Sequence, residues 1–581
     1  MSSTSTNKLT ARLKNGASTR SMLIAAISIA VIGTGYAEVT TSQSSTMART
    51  IVAIPVSFAT FLSMMLGGSG SVTLNPSKPT PVVQNPPVLT PTPAPKPAGV
   101  GMQLGVNVNA QSYWSGQRSF SNLLYASTWA LAETKKGIYF EAMPAERLDA
   151  SGNVKFLNPG DYGIKLITPP PALRFGKPVN IRCTFLGKGE LSAGNGPVNN
   201  VVTQSNGVTF TWHPVAGADP TAYIEPIHLR VVATDPSNPV RRLDCRETTA
   251  SPDAIFDPAF IASFAPYRVV RFMEWQGVNS NNKVTWATRA TVNTENLSGP
   301  DGPPLEYLVA LANQANVDPW FSISWNADDD YVRRYATYVR DNVDPSHKIY
   351  VELSNEVWNG QFPVYRQAAT EGLAAKLAGD EFKAAMLRYA QKTTSFMKIW
   401  TEVFAQQPNR IVRVVSSQNA NPWVAEQILS FPGTADYVDA LATAPYFGHD
   451  AFNGANATAQ DLGALFASLK TSMDAAFTSS QGNADLAAKY KKRFIAYEAG
   501  QHLVSNTDER HLVMNRDPRM GEMYARYLAA WKARFNDVMM LYSDTGSYSR
   551  YGAFPMMEYP GQPLAQAPKA AAVKTFASTL K

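Results

Sequence analysis

Eight short apolar runs alternate along the chain with longer stretches whose apolar residues recur every three or four positions. The runs are 103–109, 268–274, 320–325, 348–354, 411–416, 440–446, 493–498 and 538–542. Each is the length of a strand and apolar nearly throughout, as expected of strands covered on both faces. Between them lie the helical stretches 331–342, 367–404, 458–477 and 521–535. Alternating strands and helices predict a parallel sheet, and eight repeats predict an α/β fold that closes on itself as a (β/α)8 TIM barrel.

The gap between the first two strands is far too long for one connection. From about Arg147 to Arg246 the pattern changes to short alternating segments broken by Gly, Pro and Asn, among them 162–167, 179–186, 207–212 and 227–233. This predicts a small antiparallel β domain, sandwich-like, inserted at 147–246, with the barrel formed by 99–146 and 247–581. Cys183 and Cys245, the chain's two cysteines, both fall in the insert. Their spacing leaves two readings open, one bridge or two buried thiols, because bonding depends on a Cα separation that sequence does not give.

Ahead of the barrel the pattern is that of an address. Lys8, Arg12, Lys14 and Arg20 precede an apolar run at 22–32 that ends near Gly35, Tyr36 and Ala37; a second apolar run, 51–66, follows Met47 and Arg49. Either run reads as a secretory signal, with Met1 or Met47 as the start, so residues 1–70 predict export to the periplasm or beyond, with a retained N-terminal anchor as the competing reading. Ser69 stands where a lipoprotein signal would need cysteine. Residues 71–98, rich in Pro and Thr, predict a semi-extended spacer.

Composition narrows the partners. The 581 residues are 45% hydrophobic and 17% charged, with 52 basic and 45 acidic side chains giving a formal net charge of +7. That bias lacks the dense basic runs of a nucleic-acid surface, so no nucleic-acid partner is expected. Asp328, Asp329 and Asp330 look like metal ligands, but they precede a helix, where acidic groups complement the helix dipole; no metal and no cofactor are expected. Oligomeric state is not legible.

The chemistry concentrates at two strand ends. YVELSNEVWN puts Asn355 and Glu356 just past the fourth strand, and FIAYEAGQH puts Glu498 at the end of the seventh. In a parallel barrel both reach the carboxyl-terminal rim, the face on which barrel enzymes build their sites. Two carboxyls facing one another there can divide glycoside hydrolysis, one protonating the departing oxygen and the other attacking the anomeric carbon. Glu352 and Glu274 stand nearby, Glu352 as an ion-pair partner inside the barrel and Glu274 as a groove residue.

This set resembles the clan-A retaining glycoside hydrolases over most of the stretch from Gly99 onward, outside the insert. The resemblance implies that Glu356 is the acid/base and Glu498 the nucleophile. It implies that Asn355 hydrogen-bonds the 2-hydroxyl of the sugar. Arg271, in VVRFMEW, and Tyr446, in APYF, would hold Glu498 ionised. In a retaining enzyme the carboxyl groups stand roughly 5–5.5 Å apart. Trp325 and Trp358, and also Trp275, end or follow strands and offer rings to a sugar, while His449 and His502 follow strands six and seven and could bind hydroxyls. After strand eight, Ser543 and Asp544 stand where many clan members carry tryptophan. The chain is also similar to bacterial proteins labelled cellulose-binding. The expected function is therefore an exported retaining hydrolase of a β-linked polysaccharide or oligosaccharide. A non-catalytic polysaccharide-binding or assembly protein, and a transglycosylase using the same carboxyls, are the alternatives.

Overall fold

The computed structural model describes residues 100–580 apart from 114, 168–177, 214–224, 454–455, 457–460 and 505–508. The export signals, the anchor and the proline-rich spacer lie outside the described residues. Among those described, no helix is long and apolar enough to cross a membrane.

The eight strands form a closed parallel barrel in sequence order: β1 (Leu104–Asn107), β2 (Val269–Arg271), β3 (Asp318–Ile323), β4 (Ile349–Leu353), β5 (Ile411–Ser416), β6 (Ala440–Thr443), β7 (Arg493–Ala496) and β8 (Met539–Tyr542). Closure is made by β1 and β8, with Leu104 opposite Met539 and Asn107 opposite Tyr542. Alternation explains why both faces of each strand are apolar. Val269, Trp320, Tyr350, Val414, Ala442 and Ile495 fill the barrel, and their sequence neighbours such as Phe321, Val351 and Leu441 pack outward against the helices.

Among the described residues the α-helices of eight residues or more are α1 (Leu305–Ala315), α2 (Asp329–Asn342), α3 (Pro363–Ala374), α4 (Glu381–Val403), α5 (Pro422–Leu429), α6 (Leu462–Lys489), α7 (Pro518–Arg534) and α8 (Pro568–Ser578). Asp328 caps α2, its carboxylate accepting from the Tyr331 amide at 2.7 Å, and Asp329 and Asp330 fill the first turn. The expected single helix over 367–404 is two. The break falls where Gly379 and Asp380 interrupt the pattern, and Asp380 caps α4 through the Lys383 amide at 2.7 Å. The helix expected to end at Phe477 runs on to Lys489, and its expected start at Thr458 lies outside the described residues.

The insert holds two antiparallel sheets. One has the order Ile138–Ala142, Ala130–Glu133, Asp161–Ile167, Ile227–Thr234, Gly189–Gly194; the other has the order Arg241–Glu247, Val179–Leu186, Gly207–Trp212, Val198–Gln204. Ile181, Phe185, Leu191, Val208, Phe210, Leu229 and Val231 form its core. The β unit begins at Ala130, earlier than the pattern at 147 suggested, because ALAE and IYFEA carry weak alternation; ALAE gains its pairing from Asp161–Ile167, and IYFEA pairs in turn with ALAE. Cys183 and Cys245 stand directly opposite in the second sheet, 4.0 Å apart at Cα, and are bonded. Of the two readings the sequence left open, the structure takes the bridge.

Candidate active site

Both carboxyls stand at the carboxyl-terminal mouth of the barrel. After β4 the backbone leaves the extended region: Ser354 (φ 61°) and Glu356 (φ 42°) are left-handed without being glycine. Such conformations cost energy and persist where surrounding bonds impose them. Here the Ser354 amide is tied to the Ile323 carbonyl at 2.7 Å and the Asn359 amide to the Glu356 carbonyl at 2.8 Å. After β7, Gly500 (φ 137°) turns the chain away; a Cβ there would meet the Tyr524 hydroxyl at 2.7 Å.

Arg271 is the centre of the site. Fully buried on β2, it donates to Glu498 Oε1 at 2.8 Å, to Glu352 Oε2 at 2.9 and 3.2 Å, to Asn355 Oδ1 at 2.9 Å and to Asn107 Oδ1 at 3.1 Å. Its flat cation lies over Tyr497 and Trp320, 5.1 and 5.6 Å from the ring centres. Tyr446 donates to Glu498 Oε2 at 3.0 Å. Across the mouth, Glu356 accepts from the Tyr497 hydroxyl at 2.7 Å and from Asn359 Nδ2 at 2.9 Å. Burial raises the phenols of Tyr446 and Tyr497 well above their ordinary range, so both act as donors.

Charge at this mouth is one-sided. Glu274, Glu352, Glu356 and Glu498 face the single Arg271, and Arg271 spends two of its donors on Glu352. Burial pushes the Glu498 carboxyl up to about 8, with Arg271 and Tyr446 opposing it and the negative fields of Glu356 and Glu274 adding to it. Burial raises Glu356 and Glu274 as well. Arg271 and Tyr446 hold Glu498 as expected, and the burial of the whole site works against them. Both carboxyls of the pair are raised by burial, and each opposes the ionisation of the other. The guanidinium contact favours the anion on Glu498, which leaves the proton on Glu356.

Stability should carry the mark of this. A carboxyl raised in the folded state makes that state bind more protons than the unfolded chain, so stability is greatest below the unfolded value, about 4.3, and is lost as pH rises through about 8. Glu498→Gln removes the liability. Its melting temperature should match the parent's near pH 5 and exceed it by a few degrees at pH 8.5, measured by calorimetry; equal melting at both pH values would refute the assignment.

A cleft of about 780 Å³ opens beside Glu356, lined by Trp358, Tyr446, His449, Tyr497 and His502 together with the Ser468, Ser472, Ala475 and Ser479 face of α6. That volume is in the range of ligand sites. His502 packs edge-on to Tyr446, and burial lowers it to about 4, so it is neutral there. His449 is exposed and pairs with Asp450 at 2.7 Å.

Other expected residues lie elsewhere. Trp325 is fully buried outside the barrel, its ring near Tyr389 and under Lys392 and its Nε1 donating to Glu371 at 3.3 Å, so it offers no face to a sugar. Trp275 is likewise buried, stacked on Phe120 and Phe260. Asn355, expected to reach a sugar hydroxyl, is 2% exposed, and both ends of its amide are taken, by Arg271 and by Asn279 Oδ1 at 3.0 Å. It orients the arginine, and its Nδ2 keeps a second N–H. Glu352 is the arginine's partner inside the barrel, as expected. Sequence reasoning missed Tyr497, Asn359, Asn107 and Tyr542, which donates to Glu274 at 3.0 Å. Tyr497 could have been noticed as the polar tip inside an apolar strand next to a candidate nucleophile; for the other three the sequence holds no signal. Among the described residues no group of three or more His, Cys, Asp or Glu could hold a metal ion.

The geometry defines a class: a (β/α)8 barrel with two buried, hydrogen-bonded carboxyls at its carboxyl-terminal mouth. No family model matches the chain, and no curated protein sequence does, so the likeness to proteins labelled cellulose-binding finds no sequence match. Solved structures similar to it include the GH51 arabinofuranosidase of Xanthomonas axonopodis pv. citri, 12% identical with a TM-score of 0.36 over 55% of this chain and 66% of that one. Others are GH26C of Muricauda sp. MAR_2010_75 (11%, TM-score 0.33, 54% and 77%) and the CBM22-1–GH10 modules of Clostridium thermocellum endo-1,4-beta-D-xylanase 10B (9%, TM-score 0.33, 73% and 89%). The chain spans just under two thirds of the length of the arabinofuranosidase. The barrel is established by its own strand pairing, and likenesses at this level add nothing on substrate or chemistry.

Proposed function

We propose that this protein is an exported retaining glycoside hydrolase that cleaves a β-linked polysaccharide by double displacement. The observation that carries the reading is the pair at the barrel mouth: Glu498 held by a guanidinium and a phenol, Glu356 held by a phenol and an amide and bordering an open cleft. In the first step the Glu498 carboxylate attacks the anomeric carbon while Glu356 gives its proton to the departing oxygen. In the second, Glu356, now a carboxylate, takes a proton from water as that water displaces Glu498. Arg271 and Tyr446 steady the charge on Glu498 before it attacks and as it leaves. Because the cleft borders Glu356, the proton donor, it is the natural seat of the departing chain.

Export is supported by the Cys183–Cys245 bond, of a kind that persists in oxidising compartments. The test is incubation with a glycan panel of β-glucans, mannans, xylans and bacterial exopolysaccharides, with reducing ends counted and the anomer of the first product read by NMR. New reducing ends with a β-anomer first support the reading. An α-anomer first would make the enzyme inverting, and binding without new reducing ends would favour the non-catalytic alternative.

A further inference from the structure

Tyr497 touches both halves of the site. It precedes Glu498 on the chain, yet its hydroxyl crosses the mouth to Glu356 Oε1 at 2.7 Å, and its ring lies under the Arg271 guanidinium. Its backbone is fixed at both ends: the amide donates to the Thr443 carbonyl at 3.0 Å, and the carbonyl accepts from Asn107 Nδ2 at 3.0 Å. The side chain is fully buried and borders the cleft. Burial keeps the proton on this phenol, and it donates that proton's hydrogen bond to Glu356.

Resting on the hydrolase reading, we infer that Tyr497 is a positioning residue that fixes the Glu356 carboxyl plane and stabilises its anion, so that one segment, just past β7, both carries the nucleophile and governs the acid/base. With Oε1 held by Tyr497 and Oε2 by Asn359, each oxygen keeps a further lone pair, and these are the ones on which the transferable proton must sit. The two bonds favour the carboxylate, the form that must accept a proton from water in the second step. They oppose burial, which favours the acid needed in the first. Glu356 is thereby balanced between its two duties instead of locked in one. The other groups that bear on it are Arg271 from β2, Glu352 from β4, Tyr446 after β6, Glu498 after β7, and the cleft residues His449, Asp450 and His502.

Tyr497→Phe tests this, since it keeps the ring under Arg271 and removes one hydroxyl. Two readouts separate the inference from the hydrolase reading. The first is an infrared titration of the carboxyl band that Glu356→Gln removes. Losing one hydrogen bond, worth about 1 kcal/mol, should raise its midpoint by roughly 0.5–1 pH unit. The second is kinetics, with kcat/KM read on a β-glycoside whose leaving group needs the proton and kcat read on an activated aryl β-glycoside. The alkaline limb of kcat/KM should move up by the same amount, and kcat should fall about tenfold and recover with azide, which needs no base. Asn359→Ala should move both the same way. An unmoved midpoint overturns the inference whatever the activity. So does a uniform loss of kcat/KM with an unshifted limb and no azide recovery, which is what a merely structural tyrosine would give. A shifted midpoint in a protein that turns over no glycoside overturns the hydrolase reading and leaves the tyrosine's hold on the carboxyl standing.

Discussion

Replacing Glu498 by Ala should abolish turnover of every substrate, while replacing Glu356 by Ala should abolish it only where the leaving group needs a proton. In the proposed reaction the two carboxyls do different work. An activated aryl glycoside departs as a stable phenolate, so without Glu356 the first displacement survives and the glycosyl-enzyme accumulates, because no base remains to deprotonate water. On a natural glycan the same variant should lose about 10²- to 10⁴-fold, the usual contribution of general acid–base catalysis. Azide should restore the Glu356 variant on the aryl substrate and yield the β-glycosyl azide, since it enters from the face the leaving group vacated. In the Glu498 variant azide takes the nucleophile's own position and should yield the α-anomer. Anomer analysis by NMR reads both, and identical products from the two variants would sink the division of roles.

The largest effect on stability should come from Arg271. Its guanidinium is fully buried and is the counter-charge for Glu352, also fully buried, and for Glu498. Arg271→Met conserves the packing against Trp320 and Tyr497 but strands two carboxyls in a low dielectric. Breaking a buried pair by removing one partner typically costs about 3–5 kcal/mol. The denaturation midpoint in urea should fall accordingly. Adding Glu352→Gln should recover a large share of the loss. If the double variant were as unstable as the single one, the arginine would owe its place to shape and not to charge.

Much of this molecule can be read from one-dimensional pattern. Strand-length apolar runs at regular intervals dictate a parallel barrel, because only strands covered on both faces can be apolar throughout, and the residues just past such strands must emerge at one rim. Glu356 and Glu498 are legible for that reason, and Arg271 and Tyr446 through the resemblance to the clan-A retaining glycoside hydrolases. So is the helix cap at Asp328, which depends only on neighbours in sequence.

What the chain alone could not settle are matters of contact across distance. Trp325 and Trp358 both follow strand ends, yet one packs behind the barrel and the other lines the cleft, because helices α3 and α4 close over the first. Asn355 is turned inward by Asn279, 76 residues away in sequence. Tyr497 finds Glu356 across 141 residues, and Cys183 finds Cys245 across 62. Periodicity records which side of an element is buried, and it carries no term for which distant side chain will be met there. The order of the strands and the rim on which the carboxyls emerge were therefore determined by sequence. The sharing of one cation among Glu352, Glu498 and Asn355, and with it the proton balance of the pair, was decided by the tertiary structure, because burial and a hydrogen-bond partner exist only once the barrel has closed.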